Sequence, residues 1–506
     1  MRHCHSLRMS SMGSESAGDD YLFGVEEVRV PFAELSLNSK LCAALSAIGK
    51  RDATLIQAAS VPPILEGKDC VIASETGSGK TMAYLVPVLD QLLSTADKKG
   101  EDGEDARQLF PKAVIMVPNK DLCRQVHAAT QELLSALNAV EGEEEEDGEE
   151  RNMALVAEAM TAVSNVWPYF GRSRCPDVII CTPAVLGNFV RGPVIVEPEL
   201  FRSIKHLVLD EADMLLDGGY KRDLEKILDG FKVTRRQMIK ADEITINDKV
   251  LQVVLSAATI PSVGELSIDK YVKKRFPRAE RIANDYLHKH HPRIDQQYTR
   301  VPATDFTEAH VAAVFNALGS DYEGEPTMIF VNTADDALLL AQALRDEGLP
   351  CGELHKAVSM TDRENALQAF RDGSLSLLVC TDYAARGLDL PFVRHVIQAQ
   401  FALNVVQHLH RIGRASRAGR AGRATNIYGT ESAQLVESLL SDKAENKIDQ
   451  SFSRRRGFRA KIKKARRREE GVEETEYSGG RGPERRKDQG KFSSDDALDE
   501  LFTSNN

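Results

Sequence analysis

Short apolar runs separated by helical patterns dominate the first half of the chain. Between these runs, apolar residues recur at helical spacing, as over 120–137. Near-continuous apolar runs are typical of buried parallel strands, and the predicted strands are 70–74, 113–117, 178–181, 206–210 and 251–256. The repeated strand–helix pattern predicts an α/β fold, a doubly wound and mostly parallel sheet with helices on both faces. The polar stretch 96–107 is predicted to be a loop.

The second half repeats the strand–helix pattern. Predicted strands are 327–331, 377–381 and 395–401, whereas residues 265–300 are charged and helical and then polar. A length of 506 residues agrees with two or three domains. We expect an N-terminal segment at 1–29, a first domain at 30–285, a linker at 286–292, a second domain at 293–446 and a tail at 447–506.

Composition narrows the class of protein. Eight cysteines occur without a CxxC pair, which indicates neither a zinc site nor a disulfide framework and favours a reducing, intracellular compartment. No apolar run approaches the length that crosses a bilayer. The net charge of -11 argues against nucleic-acid binding, but the charge is segregated. Residues 141–150 carry eight acids and are predicted to be a solvated insertion, whereas 451–468 carry ten basic residues and no acid.

A glycine-rich loop follows the first predicted strand, in the stretch VIASETGSGKT at 71–81. Gly77 and Gly79 let the backbone wrap closely around a polyphosphate with its N–H groups directed inward. Lys80 would neutralise phosphate charge and the Thr81 hydroxyl would ligate Mg²⁺. Ser74 replaces the glycine with which this loop usually opens. The alternative is an ordinary glycine turn between a strand and a helix.

Acidic residues follow the predicted strand 206–210, in the run Asp-Glu-Ala-Asp at 210–213. Functional groups of open α/β sheets gather at the carboxyl ends of strands. Asp210 would therefore hold Mg²⁺ through water, and Glu211 would orient and deprotonate the attacking water. Acids after strands are also common helix N-caps, which is the alternative for this motif alone.

Basic residues of the second half provide a further candidate for phosphate chemistry. Arg414 and Arg417 lie one helical turn apart, so both guanidinium groups can project to one side and clamp phosphate oxygens. A surface basic helix is the alternative. Earlier in the chain, Gln57 offers an acceptor and donors to an adenine edge, and Phe32 could stack on the same base. Gln57 could equally be a helix cap or a surface residue.

Both ends of the chain differ in composition from the two predicted domains. Residues 1–12 carry Arg and Ser without acids, which is typical of the start of a transit peptide, although a floppy terminus explains them as well. The basic run near the C-terminus has Phe452 and Phe458 interleaved, a pattern that favours RNA phosphates with occasional base stacking. A nuclear-import address is the competing interpretation. The compartment therefore stays open between a mitochondrion or plastid and the nucleus or nucleolus.

Residues 32 to about 430 resemble a DEAD-box RNA helicase of superfamily 2. The resemblance implies two tandem RecA-like domains, ATP with Mg²⁺ at their cleft and RNA across both, in an RNA-dependent ATPase. We expect the chain to act as a monomer. It implies an ATP site formed by Phe32, Gln57, Ser74, Glu75, Thr76, Gly77, Ser78, Gly79, Lys80, Thr81 and Asp389. His410 would tie the second domain to the first. RNA would contact Pro118, Asn119, Thr182, Pro183, Arg363 and Thr381 through its backbone, with weak sequence preference.

Several family positions differ in this chain, most of them on the RNA side or at the coupling motif. The runs at 118–122 and 182–185 lack the usual arginine, Met360 replaces a glutamine, and Ala53 replaces a proline. The family's Ser-Ala-Thr motif aligns with 257–259, so that Ser256 stands one place early. Two functions therefore remain: an RNA helicase that opens short duplexes or remodels ribonucleoproteins, and an ATP-dependent RNA clamp that hardly unwinds. A DNA-directed motor is disfavoured by the Asp-Glu-Ala-Asp motif.

Overall fold

Two parallel sheets organise the computed structural model. The structure describes residues 29–75, 77–99, 110–144, 155–160, 175–190, 197–217, 220–260, 268–283, 294–303, 305–319, 322–382, 390, 392–415 and 421–445. Several predictions lie outside these residues: segment 1–28, most of the acidic insertion, the linker 286–292, the tail 447–506, Thr76, Asp389 and Arg417.

The first sheet has seven strands among the described residues, and all of their pairings are parallel. In chain order the strands are β3 (Cys70–Ala73), β4 (Ala113–Met116), β5 (Ala157–Met160), β6 (Val178–Cys181), β7 (His206–Leu209), β8 (Gln252–Ala257) and β9 (Glu280–Ala283). Their spatial order is β5-β6-β4-β7-β8-β3-β9. A short antiparallel pair, β1 (Val30–Pro31) and β2 (Asp52–Ala53), precedes this sheet in the chain.

The second sheet has six described strands in the order β10-β15-β14-β11-β13-β12, again with parallel pairings. The strands are β10 (Ile294–Arg300), β11 (Thr327–Val331), β12 (Cys351–Leu354), β13 (Leu377–Thr381), β14 (His395–Gln398) and β15 (Gly422–Tyr428). Two mostly parallel sheets with helices confirm the predicted α/β fold class.

Helices connect the strands of each sheet. In the first domain they are α1 (Ser39–Ala47), α2 (Leu55–Leu65), α3 (Lys80–Lys99), α4 (Lys120–Glu144), α5 (Pro183–Val190), α6 (Glu197–Ser203), α7 (Ala212–Asp217), α8 (Lys221–Lys240) and α9 (Ile268–Arg275). In the second domain they are α10 (Glu308–Leu318), α11 (Ala334–Asp346), α12 (Met360–Arg371), α13 (Val405–Ile412) and α14 (Ala433–Glu445). Because α3 extends to Lys99, the loop prediction is wrong for residues 96–99.

Successive strand residues contribute to opposite faces of each sheet, as the period of a β-strand requires. In β4, Ile115 belongs to one apolar cluster, whereas Val114 and Met116 belong to the cluster on the other face. The same alternation divides Ile329 and Phe330 of β11 between two clusters. Helices therefore cover both faces, and the carboxyl ends of the strands remain the place where polar side chains can meet.

Candidate active site

Three neighbouring parallel strands, β7, β8 and β3, end at the same edge of the first sheet. The glycine-rich loop follows β3, the Asp-Glu-Ala-Asp run follows β7, and Thr259 follows β8. Parallel alignment therefore brings together three segments that are far apart in the chain.

Lys80 begins α3 at the end of the glycine-rich loop. Its Nζ atom donates to the carbonyl oxygens of Ser74 and Glu75, both at 2.8 Å. Burial lowers the pKa of Lys80, and the charges of Glu211, Asp210 and Asp213 oppose that change. Gly77 and Gly79 have φ values of 87° and 93°, a region that glycine adopts without a side-chain clash. The loop thus holds a buried ammonium beside three carboxylates.

Ser74 has a specific place in this loop although it replaces the usual glycine. Its side chain is buried, and its Oγ atom lies 2.5 Å from Oγ of Ser78. The carbonyl of Ser78 also accepts a hydrogen bond from the Thr54 hydroxyl at 3.0 Å. Hydroxyl groups therefore close the loop on itself and attach it to the segment before α2.

Gln57 connects α2 to the same loop. Its Nε2 atom donates to the Gly79 carbonyl at 3.0 Å, and its Oε1 atom accepts from the backbone N–H of Thr54 at 2.9 Å. The second bond is a helix cap, one of the alternatives that the sequence left open. Phe32 is 2% exposed and belongs to the apolar core of the first domain. The roles of Gln57 and Phe32 towards adenine stay predictions.

Asp210 is a buried carboxylate at the end of β7. Its Oδ1 atom accepts from the Glu211 backbone N–H at 3.0 Å, and its Oδ2 atom accepts from the Tyr84 hydroxyl at 2.9 Å. Burial, followed by the charge of Glu211, raises the pKa of Asp210 to about 6. Glu211 has a φ of 50°, which is a strained backbone conformation for a residue with a side chain. Strain of this kind clusters at functional sites.

Asp213 joins the two domains. Its Oδ2 atom accepts from the backbone N–H and the hydroxyl of Thr259, at 3.0 and 2.7 Å, and lies 3.2 Å from Nε2 of His410 in α13. Burial raises the pKa of Asp213, but His410 and Thr259 outweigh burial and leave it lowered. The other ring nitrogen of His410 lies 3.9 Å from Oε2 of Glu211. The contact with Thr259 is kept although the Ser-Ala-Thr motif is altered.

Arg414 lies in the turn after α13, because that helix ends at Ile412. The expectation that Arg414 and Arg417 share one helical turn is therefore wrong for Arg414. The Arg414 side chain is 2% exposed, and its Nε atom donates to the His410 carbonyl at 3.3 Å. This bond fixes the arginine next to the histidine that contacts the first domain.

Arg411 is a structural centre of the second domain that the sequence did not single out. Its guanidinium forms two bonds of 2.7 Å to the carboxylate of Asp382 and one of 2.7 Å to Asn332. It also donates to the Gln400 carbonyl at 2.8 Å. Three arginines lie close together at 411–417, and only the fold shows that Arg411 is paired with a carboxylate of its own domain.

The predicted RNA residues lie at the ends of strands and the starts of helices. Asn119, which follows Pro118, accepts from the Leu122 N–H at 2.8 Å and caps α4, and Thr182 accepts from the Val185 N–H at 3.0 Å before α5. Pro183 opens α5, and Thr381 ends β13. In α12, Arg363 donates to the Met360 sulfur at 3.4 Å. Their contacts with RNA stay predictions.

A second interdomain contact lies between the two helices that border these residues. Nη1 of Arg124 in α4 is 2.9 Å from Oε1 of Glu364 in α12. Both side chains are about half exposed, 48% and 58% respectively. The two domains therefore meet near the predicted RNA residues as well as at His410.

A phosphate loop with its lysine, a neighbouring acidic run and a second domain that reaches them define a two-lobed P-loop nucleoside triphosphatase. The DEAD/DEAH box helicase model matches residues 54–266, and the helicase conserved C-terminal domain model matches residues 309–419. DEAD-box ATP-dependent RNA helicase 22 of Arabidopsis thaliana is 31% identical, over 89% of this chain and 86% of that protein. The chain belongs to the DEAD-box ATP-dependent RNA helicase family, as the sequence resemblance predicted.

Further comparisons agree with this family. The ATP-dependent rRNA helicase RRP3 of Ajellomyces capsulatus is 29% identical over 83% of this chain and 76% of its own length. Mss116 bound to single-stranded RNA and UDP-BeF has the same fold, with a TM-score of 0.65, 24% identity and coverage of 82% of this chain and 79% of that one. Dbp5 of S. cerevisiae bound to RNA and ADP-BeF3 gives a TM-score of 0.60, 22% identity and coverage of 82% and 93%. Among the described residues, no helix is both long and apolar enough to cross a membrane.

Proposed function

We propose that this chain couples Mg²⁺-dependent ATP hydrolysis to closure of its two domains on RNA. The contact between His410 and Asp213, at 3.2 Å, is the observation that carries the proposal. It joins the second domain to the acidic run of the first, beside Glu211 and within reach of the charge on Lys80. A nucleotide bound by Lys80 would therefore be enclosed only when the domains close.

Asp210 and Thr81 suit Mg²⁺, because hard cations prefer oxygen ligands. The buried Asp210 carboxylate has a pKa raised to about 6 by burial and Glu211, so a nearby cation would favour its charged form. When bound, Mg²⁺ neutralises charge on the reacting phosphates. Asp210 would hold the cation largely through water and Thr81 would hold it through its hydroxyl.

The remaining residues of the cleft have separate roles in phosphoryl transfer. Lys80 binds the β- and γ-phosphates, and Glu211 orients the attacking water and accepts its proton. The Oε2 atom of Glu211 has no hydrogen-bond partner among the described residues, which leaves it free to accept from water. Arg414 and Arg417 stabilise charge on the transferring group. Phe32 and Gln57 select adenine, and Asp389 contacts the ribose.

We also infer that the closed arrangement of the domains is the one that binds RNA. The RNA-side residues are divided between the domains: Pro118, Asn119, Thr182 and Pro183 in the first, Arg363 and Thr381 in the second. Linkage requires that RNA strengthens ATP binding by the factor by which ATP strengthens RNA binding. Backbone contacts position the strand without reading its sequence, so sequence preference should be weak.

ATP turnover with and without RNA, measured beside unwinding of a short duplex, tests this function. Lys80→Ala should abolish hydrolysis because it removes the phosphate-binding ammonium, whereas Lys50→Ala, at a half-exposed ion pair with Glu132, should leave it unchanged. Unchanged turnover in Lys80→Ala would refute the assignment. Turnover that RNA stimulates without duplex opening would favour the RNA-clamp alternative. Equal unwinding of DNA would revive the DNA-directed motor.

Ribonucleoprotein remodelling is the broader role that we infer. Among the relatives, RRP3 is named as an rRNA helicase and PRP28 of Cryptococcus neoformans as a pre-mRNA-splicing helicase, the latter 27% identical over 87% of this chain. Crosslinking in cells followed by sequencing of the bound RNA tests this class of substrate. Recovery of no structured RNA would contradict it.

The basic tail and the compartment are proposals that rest on sequence alone. Deleting residues 451–506, which carry the run of ten basic residues, should weaken RNA affinity and flatten its salt dependence while basal ATP turnover stays intact. Unchanged affinity would make the run an address or a partner site. Fluorescent fusions with and without residues 1–29 distinguish an organelle from the nucleus.

A further inference from the structure

Tyr84 is a buried phenol inside the nucleotide site, with no role in the chemistry described above. It lies in α3, one helical turn after Lys80, and its side chain is 0% exposed within the apolar core of the first domain. Its hydroxyl donates to Oδ2 of Asp210 at 2.9 Å. A phenylalanine would fill the same space, so packing alone does not require the hydroxyl.

Thr81, the other residue proposed to hold Mg²⁺, lies three residues before Tyr84 in α3. Burial, followed by the Asp210 charge, raises the pKa of Tyr84. The Tyr84 hydroxyl therefore bonds directly to one of the two side chains that are proposed to hold Mg²⁺.

The geometry around Asp210 is fixed on both of its oxygen atoms. Oδ1 accepts from the Glu211 backbone N–H at 3.0 Å, and Oδ2 accepts from Tyr84. Parallel pairing of Leu209 with Leu255 also places Ser256 beside Asp210. A carboxylate with a donor on each oxygen cannot rotate freely, so its remaining lone pairs keep one direction.

We propose that Tyr84 is a positioning residue that aims Asp210 at the metal of a bound Mg²⁺–ATP complex and thereby sets the Mg²⁺ requirement of the nucleotide site. The inference rests on the proposed function, because it concerns the same cleft. In this inference the hydroxyl of Tyr84 increases the affinity of the site for Mg²⁺, and the ring packs in the core. Loss of the hydroxyl should therefore change how much Mg²⁺ is needed, without changing the fold.

Binding of a fluorescent ATP analogue to the full chain, titrated with Mg²⁺, tests the inference. In Tyr84→Phe the Mg²⁺ concentration for half-maximal binding should rise roughly tenfold, the size expected for loss of one hydrogen bond to a charged group. Binding of the analogue in EDTA should equal that of the wild type. The matched control is Tyr322→Phe, which removes a hydroxyl that donates to the Glu325 carbonyl at 2.7 Å in the second domain and should leave the Mg²⁺ midpoint unchanged.

The same titration separates failure of this inference from failure of the proposed function. If wild-type binding does not respond to Mg²⁺, the proposed metal site is wrong. If the wild type responds and Tyr84→Phe has the wild-type midpoint, Tyr84 only packs and the inference is overturned. In an Asp210→Asn background, adding Tyr84→Phe should cause no further shift, because the hydroxyl acts through that carboxylate. An additional shift of similar size there would contradict the assignment.

Discussion

His410 and Asp213 lie 197 residues apart in the chain, yet Nε2 of His410 is 3.2 Å from Oδ2 of Asp213. The histidine comes from α13 of the second domain, and the aspartate lies in the first turn of the helix after β7 of the first. Thr259 holds the same carboxylate oxygen from within the first domain. The same buried oxygen therefore contacts both the second domain and the segment after β8.

His410→Ala should shift the chain towards the open arrangement of its domains. The variant removes a hydrogen bond to a charged group, worth about 1.5–3 kcal/mol, so the ratio of closed to open molecules should fall roughly 10- to 100-fold. Energy transfer between dyes on the two domains, with ATP and RNA present, measures this population. His127→Ala is the control, since that ring bonds to Gln131 of α4 and to the Ala157 carbonyl, both in its own domain. Wild-type transfer in His410→Ala would show that closure does not depend on the contact.

Arg124→Glu should weaken closure by a smaller and salt-dependent amount. The pair with Glu364 is about half exposed on both sides, and such pairs contribute about 0.2–1 kcal/mol. Exchanging the charges, in Arg124→Glu with Glu364→Arg, should restore closure only in part, because Asp121 lies 3.8 Å from Arg124 and would repel the new glutamate. Lys50→Glu, at an exposed pair within the first domain, is the control. An effect that high salt does not reduce would argue against a charge contact.

Gly79→Ala should weaken ATP binding, whereas Gly67→Ala should leave it unchanged. Both glycines have positive φ, 93° and 76°, so each substitution carries about 1–2 kcal/mol of backbone strain. At Gly79 the added carbon would also collide with the Gln57 amide, whereas at Gly67 it would meet nothing within 4 Å. Urea unfolding measures the loss of stability that backbone strain causes in both variants. Nucleotide titration measures the loss of ATP affinity that the collision at Gly79 causes. Equal nucleotide affinity in the two variants would contradict the coupling of Gln57 to the loop.

His395 should make the second domain less stable as the pH falls. Burial, followed by the charge of Arg423, lowers its pKa from 6.5 to about 3, so the unfolded chain binds a proton that the folded chain does not. The contribution of the neutral His395 ring to the free energy of unfolding is complete above pH 6.5. It is lost towards pH 3, by up to about 1.4 kcal/mol per pH unit. Hydrogen exchange of peptides spanning His395–Gln398 measures this slope.

Two variants separate the titration of His395 from its packing. His395→Gln should flatten the pH dependence, because glutamine does not titrate in this range. Thr425→Val removes the hydroxyl 2.9 Å from Nε2 of His395, and it should lower stability at every pH while the slope is kept. A wild-type slope in His395→Gln would assign the pH dependence to other groups.

Central strands were predictable, and several edge strands were not. The predicted bounds of β3, β4, β6, β7, β8, β11 and β13 differ from the structure by at most one residue at either end, because these strands are mostly apolar and buried. β9 and β10 lie at sheet edges. β9 exposes most of its residues and β10 exposes alternate residues, so neither sequence shows the apolar run of a buried strand. β15 is an interior strand but contains Asn426, whose side chain accepts from Gln398 at 2.7 Å. Its polarity concealed a buried strand.

The sequence by itself determined the local chemistry: a glycine loop before Lys80, acids at 210–213 and a histidine–arginine run at 410–417. Such motifs depend on neighbours in the chain, which sequence spacing specifies. Only the tertiary structure decided which groups meet: Tyr84 with Asp210, Arg411 with Asp382, and His410 with Asp213. These pairs are set by strand order and domain docking, which bring together side chains that no local pattern relates. The physical reason is that a buried polar group takes the partner that the packed chain presents to it, wherever that partner lies in the sequence.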